Sequence, residues 1–509
     1  MQLTSQQLKD DSVTKDKVIA LLEEVTQRAN RLEEQNIWLK RQMFGRSSEK
    51  TPKEEQDPNQ GYLFNEVEVM AEVCPEPVES LIIPEHKRKK KGRKRIDESL
   101  PRVEVIHDLP EHEKVCSKDG SPLKRIGEIT SEQVDYIPAK VRVLKHIRYK
   151  YACSCCGENI KTADNPKTLL PKSLASPSLL AHITTAKYVD SLPLHRQERQ
   201  FARLGIELNR ATMASWMIKI GTQHVQPLIN VLNDHCNQSP LIHIDETRVQ
   251  VLKSAKAPSA DHWVWVRASG ATQQRVVLFD YDPSRAKVVA QRLLEDYQGI
   301  IVSDGYKGYD SIAKAQGLVH AGCLAHARRK FHDAKKSAAT DSSNAKVGLG
   351  FIGKLYAVER KLKDQTLPPN DEDKLAFRER YSRPILDEFK QWLEFMSPKV
   401  PPKNDLGKAI HYTLNQWHKL ITFMDHACVP LDNNRAEGCI RPFVIGRRNW
   451  MFCDTQAGAK ASANLYSLVE TARANGLEPH AYLSHIYTHL PLATSLEDIE
   501  ALLPWNCSL

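Results

Sequence analysis

The hydrophobic and polar positions follow different periods in different parts of this chain, and each period predicts a different element. From Val18 to Met43 the apolar residues repeat every seven positions, which is the spacing of a short coiled coil. Asn36 falls at an a position, where a single asparagine favours a parallel two-stranded state. An amphipathic helix packed on its own domain is the alternative. After Gly45, an acidic stretch that contains proline predicts a linker to about residue 85.

A helical period dominates residues 166–236, and the stretch PLHRQERQFARLGIELNRATMASWMIKI has helix-turn-helix spacing. It predicts one helix, a turn at Gly205 and a second helix from about Ala211. The arginines that flank this helix pair are Arg199, Arg203 and Arg210. DNA binding is one interpretation of the pair, and a helical hairpin that binds nothing is the other.

Strand-like patterns follow. LIHIDETRVQVL, HWVWVRAS and QRVVLFDYD predict three strands in meander order, followed by a helix from about Pro283 and a fourth strand in GIIVSDGYKGY. In that topology the first and fourth strands can lie side by side, which brings Asp245 and Asp304 to one edge of the sheet. Neighbouring carboxylates repel each other unless a cation lies between them. Oxygen ligands of this kind predict Mg²⁺ or Mn²⁺.

A pair of such ions can assist phosphoryl transfer, and binding two ions requires a third carboxylate ligand. The stretch DNNRAEGCIRP supplies Glu437, and Asp432 fits the cap of the helix that carries it. Helix capping is the alternative role for both acids. Cys323 and His326 in AGCLAHARRKF lie one helical turn apart, which favours a structural pair beside the site rather than ligands. The candidate DNA contacts near this helix are Arg435, Arg441, Arg447, Arg448 and Trp450.

Cysteines mark another small module. Cys116 and Asp119 form one knuckle, Cys153 and Cys156 form a second, and hairpin-like sequence separates them, which predicts a zinc ribbon. Asp119 stands where a fourth cysteine is expected, and zinc accepts a carboxylate oxygen. His112 is another candidate for the fourth ligand. Reduced cysteines in a hairpin without metal are the alternative.

The charge is unevenly placed. Lys and Arg total 72 against 63 Asp and Glu, a net charge of +9, and much of the excess lies in HKRKKKGRKR at residues 86–95. Such a block attracts phosphates, although a charged linker has the same composition. The candidate DNA contacts in this block are Lys87, Arg88, Arg93 and Arg95.

No stretch approaches the ~18 apolar residues of a membrane-spanning helix, so a cytoplasmic protein without a membrane partner is expected.

Six stretches occur in a characteristic order: HIDET, SDGYKGY, CLAHARRKF, DNNRAEGCIRP, GRRNW and YSLVETARANG. Together they resemble the DDE transposases of the insertion sequence 66 (IS66) family, and FGRSSEK, YACSCC, PLHRQE and LLPW extend the resemblance over nearly the whole chain. The chain departs from the family pattern at Asp119, where cysteine is frequent. It departs again at Arg248, where proline is common.

The resemblance implies a multidomain α+β protein whose catalytic domain is ribonuclease-H-like, with an acidic triad at Asp245, Asp304 and Glu437. The expected domains are a coiled coil (1–45), a linker with the basic block (46–100), a zinc-ribbon-like module (101–165), a helix-turn-helix-like region (166–236), a catalytic domain (237–475) with a helical insertion at about 338–430, and a helical C-terminal segment (476–509). The nucleoid of a bacterium is the implied location.

The function implied by the resemblance is DNA transposition. Water would cut the DNA at an end of the element and free a 3′-hydroxyl, which would then attack target DNA. The implied partners are element ends, target DNA, a second copy of the chain and two small accessory proteins, and the implied ions are Mg²⁺ or Mn²⁺, with Zn²⁺ in the ribbon. A catalytically silent DNA-binding regulator and a nuclease without joining activity are the alternatives.

Overall fold

The computed structural model describes residues 28, 141–151, 161–270, 273–337, 344–363 and 370–507. The chain divides into two compact units, one made of residues 75–163 and the other of residues 1–74 with 164–509. Three predicted features lie outside the described residues and stay predictions: the coiled coil apart from residue 28, the basic block with Lys87, Arg88, Arg93 and Arg95, and the zinc ligands Cys116, Asp119, Cys153 and Cys156.

The described part of the smaller unit contains a short antiparallel strand pair. Strand β1 (Lys150–Tyr151) pairs with β2 (Lys161–Thr162), with Lys150 opposite Thr162. The side chain of Arg148 donates from Nε to the carbonyl oxygen of Ala163 at 2.7 Å and extends this pairing. The two strands flank the segment 152–160, which lies outside the described residues and carries the second pair of predicted zinc ligands.

From residue 164 on, the described part of the larger unit starts with four α-helices: α1 (Pro177–Tyr188), α2 (Leu194–Arg203), α3 (Arg210–Lys219) and α4 (Gln226–Asn237). The predicted helix, turn and helix are confirmed in α2, Gly205 and α3. Gly205 has a φ of +78°, a conformation that only glycine adopts without strain. The Asn209 side chain accepts a hydrogen bond from the Thr212 N–H at 2.8 Å, and this cap starts α3 one residue before the predicted Ala211.

The central sheet has six strands, five of them in the order β5-β4-β3-β6-β7 and the sixth, near the end of the chain, paired with β3. These five are β3 (Leu241–Lys253), β4 (Asp261–Ser269), β5 (Val277–Asp282), β6 (Ile300–Val302) and β7 (Val319–Ala321), with helices α5 (Lys287–Leu293) and α6 (Lys307–Gln316) before and after β6. Strands β3, β4 and β5 form an antiparallel meander, and β6 lies parallel to both β3 and β7. The predicted adjacency of the first and fourth strands is confirmed.

A helical insertion follows the sheet. Helix α7 (Leu324–Ser337) precedes it, and the described helices of the insertion are α8 (Asn344–Lys363), α9 (Asp371–Tyr381), α10 (Arg383–Met396), α11 (Asp405–Asn415) and α12 (Trp417–Leu420). In α10 the buried residues Leu386, Phe389, Leu393 and Met396 recur at helical spacing and form one apolar face. This face belongs to a second hydrophobic core, which also includes Val302 of β6. The insertion is therefore packed against the β6 side of the sheet.

The last part of the chain packs on the side of the sheet opposite the insertion. Helix α13 (Asn434–Trp450) leads into β8 (Cys453–Thr455), which pairs in parallel with the end of β3, and α14 (Gln456–Ala474), α15 (Pro479–His489) and α16 (Leu496–Glu500) complete the described chain. One hydrophobic core joins α3, α4, the sheet and α14, so packing continues across the boundary predicted between residues 236 and 237. No described helix combines the length and apolar composition needed to cross a membrane.

Helix α14 covers the edge strand β5 through three polar side chains spaced four residues apart. Ser467 Oγ, Thr471 Oγ1 and Asn475 Oδ1 accept hydrogen bonds from the backbone N–H groups of Phe279, Val277 and Arg275, at 2.8, 3.0 and 3.1 Å. Four helical residues rise about 6 Å and two strand residues about 6.6 Å, so the two spacings match. The edge groups of β5 are thereby satisfied and closed to another strand.

Replacing Thr471 with valine is expected to lower the free energy of unfolding by about 1–3 kcal/mol, because the buried N–H and C=O of Val277 both lose their partner. Chemical denaturation of the two proteins measures the difference. Thr413→Val is the matched control, because the Thr413 hydroxyl is also buried but only donates to the Ala409 carbonyl within its own helix. Equal losses in the two variants would contradict the role assigned to Thr471.

Candidate active site

The three predicted acids come from three elements that meet at one end of the sheet. Asp245 lies within β3, Asp304 follows β6 by two residues, and Glu437 lies in the first turn of α13. Strands β3 and β6 are parallel, and His243 pairs with Val302. Asp245 lies two residues after His243 and Asp304 two residues after Val302, so both aspartates lie at the same end of the strand pair. The two aspartates are half-buried, whereas Glu437 is 6% exposed.

The electrostatics of this cluster favour a cation. Burial raises the pKa of the Asp245 carboxyl well above its usual range, and the nearby charges of Glu246, Glu437 and Asp304 raise it further. One interaction opposes the shift, a hydrogen bond of 2.9 Å from the Glu246 N–H to Asp245 Oδ1. A bound divalent ion would lower the pKa of Asp245 again, because its positive charge neutralises several carboxylates at once. The donor set consists of carboxylate oxygens, which suits Mg²⁺ or Mn²⁺.

Asn433 connects the strand of Asp245 to the helix of Glu437. Its side chain is fully buried, and its Nδ2 donates to the Ile244 carbonyl oxygen at 2.9 Å. Its Oδ1 accepts from Nδ1 of His243, also at 2.9 Å. The Asn433 backbone N–H donates to Cys323 Sγ at 3.2 Å. One residue therefore joins β3, the start of α7 and the start of α13.

The predicted cap at Asp432 needs a correction of one residue. Asn433 occupies the N-cap position of α13 but makes no capping hydrogen bond with its side chain, because that side chain is bound to β3. Asp432 lies just before it, and its Oδ1 accepts a hydrogen bond from the Asn434 N–H at 3.1 Å. The hydroxyl of Tyr356 donates to Asp432 Oδ2 at 2.8 Å. Asp432 thus stabilises the helix start from outside it.

Glu437 contacts side chains of α7. Its Oε2 lies 3.5 Å from a terminal nitrogen of Arg329, and its Oε1 lies 3.6 Å from His326 Nδ1. Potential ligand atoms of Cys323, His326 and Glu437 all lie within 4.8 Å of one another. The pair that was predicted beside the site is therefore close to the third acid itself. Burial raises the pKa of the Cys323 thiol well above its usual range, and the charge of Glu437 adds to this shift.

Glu246, the residue after Asp245, forms a buried hydrogen-bonded network on the α6 side. Its side chain is 1% exposed. Nε and a terminal nitrogen of Arg285 donate to Oε1 at 2.8 and 2.5 Å, and the hydroxyl of Tyr309 donates to Oε2 at 2.7 Å. Burial raises the pKa of Glu246 to about 7, with a further contribution from Asp304, although Arg285 and Tyr309 oppose the shift.

The network also reaches the turn that carries Asp304. The guanidinium group of Arg285 lies 4.8 Å from the ring centre of Trp263 and 4.6 Å from that of Tyr306, within range of cation–π attraction. The Tyr306 hydroxyl donates to the Arg285 carbonyl oxygen at 2.7 Å, and the Tyr306 N–H donates to Asp304 Oδ1 at 2.9 Å. The strand of Asp245 and the turn of Asp304 are therefore fixed through shared partners.

Replacing Glu246 with glutamine is expected to weaken divalent-ion affinity at the neighbouring acids by about 10-fold, the lower end of the range for residues that orient metal ligands. Gln keeps the size of the side chain but removes the charge that holds Arg285. Titration of bound Mn²⁺ by electron paramagnetic resonance measures the affinity. Asp280→Asn is the control, because Asp280 also pairs with an arginine, Arg267, at 3.1 Å. Unchanged Mn²⁺ affinity in Glu246→Gln would contradict the positioning role.

The candidate DNA-binding residues differ in their exposure to solvent. Arg203 and Arg210 of the helix pair are exposed, as is Arg448, whereas Arg435, Arg441 and Arg447 are half-buried along α13. Arg447 lies 3.4 Å from the Thr247 hydroxyl, two residues from Asp245. Trp450 was predicted to stack on DNA, but its ring packs edge-on against the buried Phe443, with ring centres 5.6 Å apart. Trp450 is half-buried and packs on the core through this contact, and its stacking on DNA stays a prediction.

Several residues around the acids were not singled out from the sequence. Glu246, Asn433 and Arg329 all lie within the stretches HIDET, DNNRAEG and CLAHARRKF, so position within a motif was an available signal. Tyr412 of the insertion had no such signal. A Cβ atom at Gly305, the residue after Asp304, would lie 3.0 Å from the Tyr412 ring. The ammonium of Lys330 in α7 lies 4.8 Å from the centre of that ring, so the insertion contacts a cation of α7 near the site.

Comparison with protein families accounts for most of the chain. The model "Transposase IS66 family" matches residues 172–461, and "IS66 C-terminal element" matches residues 467–505. The "zinc-finger binding domain of transposase IS66" matches residues 113–157, and "Transposase C of IS166 homeodomain" matches residues 31–105. The zinc-finger match spans all four predicted ligands of the ribbon.

Similar proteins occur in Sinorhizobium fredii (strain NBRC 101917 / NGR234). The uncharacterized protein y4jD is 32% identical over 419 residues, which cover 80% of each chain. The uncharacterized protein y4qI is 30% identical over 484 residues, which cover 92% of this chain and 87% of the relative. These names carry no statement of activity.

All four matched family models describe parts of transposases, so the chain is a protein of this class. Within that class the chain belongs to the IS66 transposase family, whose model matches more than half of it. DNA-binding and zinc-finger domains are part of this assignment.

Proposed function

We propose that the protein is a DDE transposase that cleaves DNA at the ends of an insertion sequence and joins the freed ends to target DNA. The observation that carries the proposal is the meeting of Asp245, Asp304 and Glu437 from β3, the end of β6 and α13, where the first carboxyl has a strongly raised pKa. A ribonuclease-H-like fold is part of the proposal. The three-stranded antiparallel meander continued by two parallel strands supports it.

Asp245, Asp304 and Glu437 would hold divalent ions of the Mg²⁺ or Mn²⁺ type. When bound, such ions supply the positive charge that stabilises the attacking and leaving oxygens of an in-line phosphoryl transfer. The side chains of the protein keep this site assembled. Asn433 holds the helix of Glu437 on the strand of Asp245, and Arg329 orients the Glu437 carboxylate from the α7 side.

The reaction has two displacements. In the first, water attacks the phosphodiester at the element end, the P–O3′ bond breaks, and the departing oxygen becomes a 3′-hydroxyl. In the second, this hydroxyl attacks a phosphodiester of the target, so that a new P–O3′ bond forms and a target 3′-hydroxyl leaves. Arg447, beside Thr247, and the neighbouring arginines of α13 are suited to neutralise phosphates along this path.

The remaining parts of the chain supply DNA binding and assembly. The exposed arginines of α2 and α3 are proposed to contact phosphates, and the ribbon is proposed to bind one zinc ion through Cys116, Asp119, Cys153 and Cys156. Two element ends must come together with one active site per chain, so a homodimer or larger assembly on DNA is proposed. The two small accessory proteins that the family resemblance implies are proposed as further partners.

The test uses the purified full-length protein and a DNA fragment that carries an element end, with and without Mg²⁺. We expect Mg²⁺-dependent nicking at the end and a joined product with added target DNA. Cleavage without joining would favour a nuclease. End binding without cleavage in either Mg²⁺ or Mn²⁺ would favour a DNA-binding regulator and overturn the proposal.

A further inference from the structure

A mixed cluster of sulfur, nitrogen and oxygen atoms lies on the α7 side of Glu437. Cys323 comes directly before α7, His326 lies in its first turn, and potential ligand atoms of these residues and Glu437 are all within 4.8 Å of one another. A tetrahedral ion with bonds of about 2.0–2.3 Å places adjacent ligand atoms about 3.3–3.8 Å apart. The distance from His326 Nδ1 to Glu437 Oε1, 3.6 Å, already falls in that range.

We propose that Cys323, His326 and Glu437 form a second metal site, for a thiophilic divalent ion of the Zn²⁺ or Co²⁺ type, that competes with the catalytic ions for Glu437. The competition rests on the proposed transposase function, whereas the metal site itself does not. An ion bound here holds Glu437 toward α7 and withholds the third carboxylate from Asp245 and Asp304. Ion occupancy would therefore inhibit DNA cleavage.

Burial and the charge of Glu437 disfavour a free thiolate at Cys323, but two backbone donors oppose that effect and a bound cation would stabilise the thiolate. The Cys323 sulfur accepts hydrogen bonds from two backbone N–H groups, that of Asn433 at 3.2 Å and that of His326. Backbone donors and a helix N-terminus both stabilise negative charge on sulfur. The Asn433 amide is held in place by the contacts of its side chain to β3. The sulfur therefore sits in a fixed, donor-lined position.

The charge and geometry of Glu437 complete the site. Its Oε2 lies toward Arg329 and its Oε1 toward His326, so that Oε1 is the oxygen on the ligand side and the contact with Arg329 can persist. A thiolate, a neutral imidazole and one carboxylate carry a formal charge of −2, which balances a divalent ion. Mg²⁺ prefers oxygen ligands and avoids thiolates, whereas Zn²⁺ and Co²⁺ accept all three ligand types. The ligand set therefore discriminates between the two classes of ion.

Co²⁺ absorption of the full-length protein tests the site directly, because a thiolate ligand gives a charge-transfer band and tetrahedral coordination gives intense visible bands. We expect Cys323→Ser to lose part of the charge-transfer intensity, while Cys428→Ser, which removes an exposed thiol, keeps it. His326→Gln should lower Co²⁺ affinity at the same site by about 10–100-fold. Retention of the full spectrum by Cys323→Ser, and of the full affinity by His326→Gln, would overturn the site. Circular dichroism checks that each variant is folded.

The consequence for activity is tested by titrating Zn²⁺ into a cleavage assay that contains excess Mg²⁺. We expect the Zn²⁺ concentration for half-inhibition to rise by about 10-fold or more in Cys323→Ser and to stay unchanged in Cys428→Ser. Equal sensitivity in all three proteins would overturn the inhibitory role. If the wild-type protein shows the Cys323-dependent Co²⁺ band but never cleaves DNA, the proposed function fails and the metal site stands. If it cleaves but lacks the band, the metal site fails alone.

Discussion

Asp245→Asn, Asp304→Asn and Glu437→Gln are each expected to lower Mg²⁺-dependent DNA cleavage by about 10⁴-fold or more, the scale seen when one member of a cooperating catalytic set is removed. Each change keeps the size of the side chain but removes one negative charge from the cluster around Asp245. The variants should still bind an element end, because the exposed arginines of α2 and α3 are untouched. Gel shift and cleavage on the same DNA fragment measure both properties.

A matched control tests whether the loss comes from the site rather than from the removal of any buried acid. Glu470 lies in α14, is 7% exposed, and pairs with Arg473 at 3.0 Å. Glu470→Gln should therefore keep cleavage close to wild type, with at most a loss of stability. Substantial cleavage by Glu437→Gln would remove Glu437 from the proposed triad, even if the two aspartate variants were inactive.

The order of the strands could be predicted because local pattern and connection length carry that information. HIDETRVQVL, WVWVRA and VVLFDY are rich in β-branched and aromatic residues, and short connections favour a meander. The parallel contact of β6 with β3 followed from the helix between β5 and β6, since a crossover returns a strand in parallel. Asp245 and Asp304 were therefore brought to one end of the sheet by topology alone, and the register of β3 and β6 agrees.

The contacts that hold the acids in place could not be predicted in the same way. Asn433 and Ile244 are separated by 189 positions, and Glu246 and Tyr309 by 63, so no local period relates them. Polar residues in a loop-like stretch also have a simpler explanation as caps, which is how Asp432 was interpreted. In the structure the neighbouring Asn433 stands at the N-cap position, but its side chain is hydrogen-bonded to β3 and does not cap the helix. Which of two adjacent polar residues caps a helix depends on a tertiary contact.

For the helix pair α2 and α3, the sequence pattern predicted the elements but not their exposed faces. The two helices and the turn at Gly205 were predicted correctly from the local pattern, but the pattern does not say which face is exposed. In α2 the exposed residues include Arg196, Arg199 and Arg203, so the first helix carries most of the exposed positive charge. Phosphate contacts of this kind position a protein on DNA without reading its sequence. The first helix is therefore the better candidate for backbone contacts.

Asn433→Ala is expected to lower cleavage by about 100-fold, the upper end of the range for residues that orient metal ligands, and the free energy of unfolding by about 2–3 kcal/mol. Two partners on β3 lose their hydrogen bond, the Ile244 carbonyl and the His243 ring. The start of α13 would then no longer be fixed to the strand of Asp245, so Glu437, four residues further on, would occupy a wider range of positions. The defect should be largest at low Mg²⁺ and partly recovered at high Mg²⁺, because a loosened ligand weakens ion affinity before it prevents the reaction.

Asn464→Ala separates this positioning role from a general loss of stability. Asn464 is also a buried asparagine, 6% exposed, and its Nδ2 also donates to a backbone carbonyl at 2.7 Å, but this helix α14 residue contacts Gly221 rather than the strand of Asp245. The two variants should therefore unfold at similar denaturant concentrations, while only Asn433→Ala requires more Mg²⁺ for half-maximal cleavage. Asn433→Asp is the second comparison, since its carboxylate still accepts from the His243 ring but has no N–H for the Ile244 carbonyl. We expect it to fall between wild type and Asn433→Ala in Mg²⁺ requirement. If Asn433→Ala and Asn464→Ala lost cleavage equally and at every Mg²⁺ concentration, Asn433 would act through stability alone.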